Sequence, residues 1–427
     1  MKRGLPFLFV FLFCTQAFTQ EIHIVVQAEG VKKMKVAMPF LSGASDFAGP
    51  TWALLKKDLE ISGVFDLIDP KGYVSQVPAG SIQEVNLKDY ALIGADFIIT
   101  GSIARAGNNA TIRLEAAEVS TGKIVTAYSR QVSMSAPYGG VHDFMDRFLK
   151  DSLGLGGIFS SRIVSVLRTG NSKVLYISWS DGTGGQPIIK GRPGDIVLSP
   201  AWSPDGKKIA FVSYARNNPD LWLYQIFPLS VTRLSSFKGL NSAPAFYPFG
   251  QKLALTLSKD GSNQDIYEMD LSGKILKRLT NSWGIDTSAC YSPDGKSMVY
   301  CSDKGGNPQI YIMDLASGRD QRLTFEGKKN TEPVFSPKGD LIAFTQEGDN
   351  GLFRIAVIRP DGSGMKALHP NASLEEESPS FSPDGRLIAY AASDGNIYLT
   401  DLFGSMPVKI TNGGGKYTQP CWGPLLW

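Results

Sequence analysis

A chain of 427 residues exceeds the roughly 100 to 200 residues of one ordinary domain, so a large closed β architecture or several domains are expected. Lys and Arg number 43 against 40 Asp and Glu, a formal charge of +3, which excludes binding dominated by nucleic-acid phosphates. Forty-five glycines and 25 prolines beside 19% charged residues describe a turn-rich globular protein and exclude a helical bundle or a disordered tail.

Lys2 and Arg3 precede an apolar run from Leu5 to Phe13 and the polar, small stretch Thr15-Gln16-Ala17-Phe18-Thr19-Gln20. This is the pattern of a secretory signal peptide, residues 1–20, cleaved near Thr19 or Gln20 and too short for a stable anchor. A lipidated Cys14 is the competing reading, and the bulky Phe11-Leu12-Phe13 before it speaks against that. Export leaves Cys290, Cys301 and Cys421 in a disulfide-permissive compartment. Their odd number and the lack of a CxxC spacing favour free buried thiols, with a Cys290–Cys301 bridge across one hairpin as the alternative.

Residues 21–155 read as a small α/β domain with a mixed sheet. "EIHIVVQAEG" and "KMKVAMPFLSG" read as strands, and "PTWALLKKDLEISGVFDLID" as a helix starting near Pro50 and ending around Gly63. Three strands joined by Gly-Asn-Asn and Ser-Thr-Gly turns occupy "GADFIITGSIARAGNNATIRLEAAEVSTGKIVTAYSRQVSMS". "GVHDFMDRFLKDSL" predicts a second helix, and "GLGGIF" at 154–159 a hinge.

From residue 156 the chain repeats. Trp202-Ser203-Pro204-Asp205-Gly206 returns as Phe246-Tyr247-Pro248-Phe249-Gly250, Tyr291-Ser292-Pro293-Asp294-Gly295, Phe335-Ser336-Pro337-Lys338-Gly339 and Phe381-Ser382-Pro383-Asp384-Gly385, the prolines 44, 45, 44 and 46 residues apart. Such a period belongs to propellers and solenoids. Each unit contains strand-like segments: Ile209-Ala210-Phe211 after the turn, Asp265-Ile266-Tyr267 as a third strand, and Arg278-Leu279-Thr280, Arg322-Leu323-Thr324 or Lys409-Ile410-Thr411 as a fourth. Four antiparallel strands make a blade that cannot bury both faces alone, so the blades must stack around an axis.

The stretch Gln419-Pro420-Cys421-Trp422 repeats the approach to the turn and stops, while residues 162–190 supply the later strands of a unit lacking its innermost one. The fold class is therefore an α+β amino-terminal domain followed, over 156–427, by an all-β six-bladed propeller closed by its C-terminal strand. Closure removes the sheet edges that would template aggregation. The aromatics Trp202, Phe246, Tyr291, Phe335, Phe381 and Trp422 hold one register and are expected in the core between blades.

Catalytic sets are sparse. No G-x-S-x-G elbow and no HExxH occurs, and His23, His142 and His369 are scattered, so they read as ordinary histidines with no metal or cofactor. Glycine-rich "GTGG" at 182–185 precedes neither Lys-Ser/Thr nor a helix, and acidic "SLEEES" at 373–378 reads as a solvated loop rather than a calcium site. A carboxylate pair for glycoside chemistry stays open. Varied polar loops such as "FKGLNSAP", "SWGIDTSA" and "EGKKNTEP" instead point to protein binding at one face of a rigid disc, with the central mouth as a socket.

The segments "DLEISGVFDLID", "GADFIITGSI", "PAWSPDGKKIAF", "APAFYPFGQKLALTLSKDGSNQDIYEMDL" and "NTEPVFSPKGDLIAFT" resemble the TolB family, periplasmic components of the Tol-Pal system of Gram-negative bacteria, over essentially the whole chain. The resemblance implies a non-catalytic monomer of the periplasm, without a membrane span, that supports outer-membrane integrity and constriction during division. It implies binding of the peptidoglycan-associated lipoprotein Pal, and of further outer-membrane proteins, at a rim comprising Leu240, Asn241, Ala243, Asp286, Thr287, Asn330, Thr331 and Glu332. It also implies that Glu21, Ile22, His23, Ile24, Val25 and Val26 contact the inner-membrane-anchored TolA; a separate expectation is that the two binding events are coupled through packing of that segment along the domain junction near Gly154 to Gly157. Leu240 replaces a histidine of well-known members, Phe249 the turn aspartate, and "ACYS" a proline-containing form. The alternatives are a propeller hydrolase or lyase acting on a cell-wall glycan, and a secreted scaffold outside Tol-Pal.

Overall fold

The computed structural model describes residues 26–27, 30–189, 194–261, 263–405, 407–412 and 416–425. The expected signal peptide and the segment Glu21 to Val25 lie outside the described residues, and Val26 stands in a two-residue strand, Val26–Gln27, paired with Gly30–Val31.

The amino-terminal domain is a mixed sheet in the order Phe65–Leu67, Met34–Ala37, Phe97–Ala106, Asn109–Glu118, Ile124–Ser133, with Ser42–Gly43 added beside Phe97–Ala106. The pairs made by Met34–Ala37 and Ser42–Gly43 are parallel, and the long strands are antiparallel. Helix α1 (Ser45–Ile61) starts five residues before Pro50, earlier than predicted. Pro50 is exposed, so the carbonyl it leaves without an amide partner sits at the wet side of the helix. A short α2 (Leu87–Leu92), capped by Asn86 accepting from Lys88 N–H, was not expected from the sequence. Helix α3 (Tyr138–Leu153) ends on Gly154 at φ +67°, whose N–H returns to the carbonyls of Leu149 and Lys150.

Six four-stranded sheets follow. Five run in chain order, and the sixth has the order Gln186–Pro187, Ser172–Trp179, Ser161–Thr169, Lys416–Leu425. The C-terminal strand is thus the innermost strand of the blade whose other strands follow α3, and the ring closes as the sequence predicts. The indole N–H of Trp422 donates to Ser161 Oγ at 2.7 Å, and its backbone N–H to Ser380 Oγ at 2.8 Å, so one residue ties the closing strand both to its own blade and to the preceding one. Trp202, Tyr291, Phe335, Phe381 and Trp422 are buried between blades and Phe246 is half-buried.

The recurring turn has a local cause. Ser203 Oγ donates to Asp205 Oδ1 at 2.6 Å and accepts from Lys208 N–H, Asp205 Oδ1 accepts from Lys207 N–H, and Gly206 takes φ +66°. The turns at Ser292 and Ser382 repeat these bonds. Where Lys338 replaces the aspartate, Asp340 accepts from Ser336 Oγ instead.

Outer strands are shorter than predicted, as in Ile275–Arg278, Asp320–Arg322 and Val408–Lys409. The threonines expected at their ends take over the ladder bond with a side chain: Thr280, Thr324 and Thr411 hydroxyls accept from the amides of Ile266, Ile310 and Ile397.

The predicted hinge is a packed joint. Asp146 accepts amide hydrogens from Ile158, Phe159 and Ser160 at 2.7–2.8 Å, and a Cβ on Gly157 would stand 2.6 Å from Asp146 Cγ. One continuous apolar cluster runs from Leu59 through Phe144, Phe148, Ile158 and Phe159 into Ile163, Leu387 and Trp422 of the propeller.

Candidate functional site

Every innermost strand carries the same irregularity. One extra residue bulges the strand between Leu198 and Ala201, Ser242 and Ala245, Thr287 and Cys290, Thr331 and Val334, Glu377 and Ser380, and Thr418 and Cys421. At each bulge a non-glycine residue takes a left-handed conformation: Ser199, Ala243, Ser288, Glu332, Ser378 and Gln419, with φ between 46° and 56°. Such a conformation costs on the order of 1 kcal/mol per residue, and six in register persist because the flanking ladders over-determine them. In five of the six, proline follows, and its lack of an N–H leaves one fewer donor to satisfy; Ala289 stands in the sixth. Bulges re-aim side chains, and these six line a cavity of about 150 Å³ at the centre of the ring.

The ring is polar and cross-braced. Ser199 N–H donates to Gln419 Oε1 at 2.8 Å across neighbouring blades. Glu332 is held by Ser378 N–H at 2.9 Å, by the Ser378 hydroxyl at 3.1 Å and by the Thr345 hydroxyl at 3.0 Å. Burial, with Glu332 and Glu375 nearby, raises the Glu377 carboxyl above its ordinary value. One sector of the mouth is therefore acidic.

The expected rim residues divide into two kinds. Ala243 and Glu332 line the cavity, Thr287 accepts from the Thr256 hydroxyl at 3.2 Å, and Leu240 and Thr331 are half-buried. Asn241, Asp286 and Asn330 are buried and are not surface groups. Asn241 bonds Ser235 Oγ, Phe237 N and O, and Gly239 O; Asp286 accepts from Ser282 Oγ; Asn330 donates to Gln309 Oε1 and Glu326 O. Their common position opens the inner strand, where a short polar side chain can satisfy the amides and carbonyls of the preceding loop, so they shape the rim from beneath. Glu376 does the same by accepting from His369 Nδ1 at 2.7 Å and Ile355 N–H at 3.2 Å, which gives the acidic "SLEEES" loop and His369 a structural role.

The same loops expose residues that polarity-based reading overlooked. Trp283 is 77% and Phe325 74% exposed, with Ile285 and Leu374 less so. Exposed aromatics on a face rimmed with polar groups mark interaction surfaces. The signal was in "SWGIDTSA" and in Phe325 before "EGKKNTEP".

Cys290, Cys301 and Cys421 are free. Cys301 pairs in register with Thr287 and Cys290 with Val299, so the alternative of a bridge between them does not hold. Burial pushes the Cys290 and Cys421 thiols up to about 11 and Cys301 to about 12, which leaves them poor nucleophiles. Among the described residues no helix is long and apolar enough to cross a membrane.

Comparison with known proteins agrees across both domains. The family described as the TolB β-propeller domain matches residues 152–426, and that described as the TolB amino-terminal domain residues 22–125. The Tol-Pal system protein TolB of Desulfosudis oleivorans is 34% identical over 294 residues, 66% of this chain and 66% of that one. The Tol-Pal system protein TolB of Bordetella pertussis is 30% identical over 414 residues, 95% of this chain and 91% of that one. The crystal structure of TolB from Acinetobacter baumannii superposes with a TM-score of 0.81 at 31% identity, covering 92% of this chain and 97% of the other.

Proposed function

Since the chain belongs to the TolB family and so is a non-catalytic component of the Tol-Pal envelope system, we propose that it acts in the periplasm by docking the peptidoglycan-associated lipoprotein Pal on the loop-rich face around the channel. The observation that carries this reading is the ring Ser199, Ala243, Ser288, Glu332, Ser378 and Gln419: six strained bulges around one polar cavity, with Trp283 and Phe325 exposed on segments that lead into two of the inner strands. Strain held in register serves a rigid, pre-organised socket, which limits the ordering cost of association. Residues 21–26 are proposed as the TolA-binding segment, and occupation of the two sites as coupled.

A pull-down from envelope extract tests the docking face. Wild-type protein should retain one lipoprotein band that Leu240→Asp combined with Thr287→Arg loses; an unchanged band pattern rejects the face. TolA affinity measured with and without saturating Pal tests the coupling, which equal affinities would refute.

A further inference from the structure

His142 read as an isolated histidine in the sequence. In the fold it is wholly buried between two wholly buried carboxylates, one from each domain. Its Nδ1 lies 2.8 Å from Asp58 Oδ2 on α1, and its Nε2 3.6 Å from Asp181 Oδ1, in the turn that follows the propeller strand Ser172–Trp179. Phe159 stacks on the imidazole at 6.2 Å between centroids and Trp179 covers it at 5.1 Å. Asp58 Oδ1, His142 Nε2 and Asp181 Oδ2 are buried without a hydrogen-bond partner among the described residues.

The turn that presents Asp181 is held in place. Gly182 takes φ +85°, and a Cβ there would stand 1.8 Å from Ile410 O. Thr183 donates its N–H and hydroxyl to Asp181 Oδ1 at 2.9 and 2.6 Å. The "GTGG" run is thus a turn that aims a carboxylate at the amino-terminal domain.

We propose that Asp58, His142 and Asp181 form a proton-operated fastening between the amino-terminal domain and the closing blade of the propeller. Protonated, the imidazole carries an N–H toward each carboxylate and pairs one group of either domain. Neutral, it keeps one N–H, so the other nitrogen turns a lone pair toward a buried carboxylate, and the junction loses its bridge.

The surrounding charges fit a proton better than a metal ion. Nδ1 is already engaged by Asp58, which leaves Nε2 and Asp181 as two ligands. Behind them Arg162 lies flat over Trp179, its guanidinium carbon 3.4 Å from the ring centroid, within the field of Asp181. Asp146, the remaining acid on α3 that faces the cluster, is occupied by three backbone amides.

Burial pulls the His142 imidazole down, and the carboxylates, Asp58 foremost, more than reverse this, so it holds its proton above the ordinary range. Burial raises Asp58 to about 7 against the pull of His142. Both groups bind protons more tightly folded than unfolded, so the stability they contribute is complete in acid and is lost as pH rises, Asp58's share from its ordinary 3.8 up to about 7 and His142's from 6.5 upward.

With three histidines in the chain, imidazole NMR of the full-length folded protein reads His142 directly. The expected midpoint lies above the ordinary 6.5, and Asp181→Asn lowers it. The thermal midpoint of the wild type falls between pH 6 and 9 more steeply than those of His142→Gln and Asp181→Asn; Asp181→Asn is the reserve should His142→Gln not fold. A neutral His142 at pH 6.5, an unchanged midpoint in Asp181→Asn, or a shift of the Nε2 resonance on adding Zn²⁺ alone would overturn the proposal, the last in favour of a metal site.

Discussion

Around the channel, Ser199, Glu332, Ser378 and Gln419 stand partly exposed on strained bulges and are braced in pairs across blades, whereas at the junction Asp58, His142 and Asp181 stand inside a continuous apolar core. Backbone geometry positions the first group; packing and the forced glycine turn at Gly182 position the second. The contrast teaches that a propeller can specialise its surroundings without altering its blades. Loop-side residues are free to vary so long as the bulge is kept, while the junction tolerates little because each group is fixed from several directions.

Substitutions should separate the two regions by what they damage. The largest loss is expected from Trp422→Ala, about 3–5 kcal/mol in urea unfolding, because it removes both the closing aromatic and its bond to Ser161. Gly182→Ala should cost about 2–4 kcal/mol, since the added carbon meets Ile410 O, whereas Gly318→Ala, at φ +71° in open space, should cost only about 1 kcal/mol; equal losses would mean that conformation and not close approach matters at residue 182. Asn241→Ala, beneath the rim, should lower stability by about 1–2 kcal/mol through the loop groups it strands, readable as a lower thermal midpoint. Trp283→Ala and Phe325→Ala should leave stability within about 0.5 kcal/mol and weaken lipoprotein binding about tenfold, as measured by titration calorimetry.

The blades were legible because their causes are local. A proline and a glycine at fixed offsets mark every turn, with a serine before the proline in four of the five, and the period of about 44 residues exposes the missing inner strand that Lys416–Leu425 supplies. Burial within the rim loops was less legible. Asn241, Asp286 and Asn330 look like surface polar residues in the sequence, and three-dimensional closure of each loop over them decides otherwise. The junction cluster was not legible, since Asp58, His142 and Asp181 meet across 123 residues of chain and no spacing rule connects them. The glycine-rich 154–159 segment misled for a related reason: glycine permits a hinge and equally permits the close approach that Asp146 requires.

The ring of bulges is the proposed docking socket. Ser288 lines that cavity at φ 55°, and tyrosine in its place would fill the mouth while leaving the blade's core untouched. Calorimetric titration of the soluble part of the lipoprotein into Ser288→Tyr, with its thermal midpoint recorded beside it, should show affinity reduced about tenfold or more at unchanged stability. Wild-type affinity in a folded Ser288→Tyr protein would contradict it.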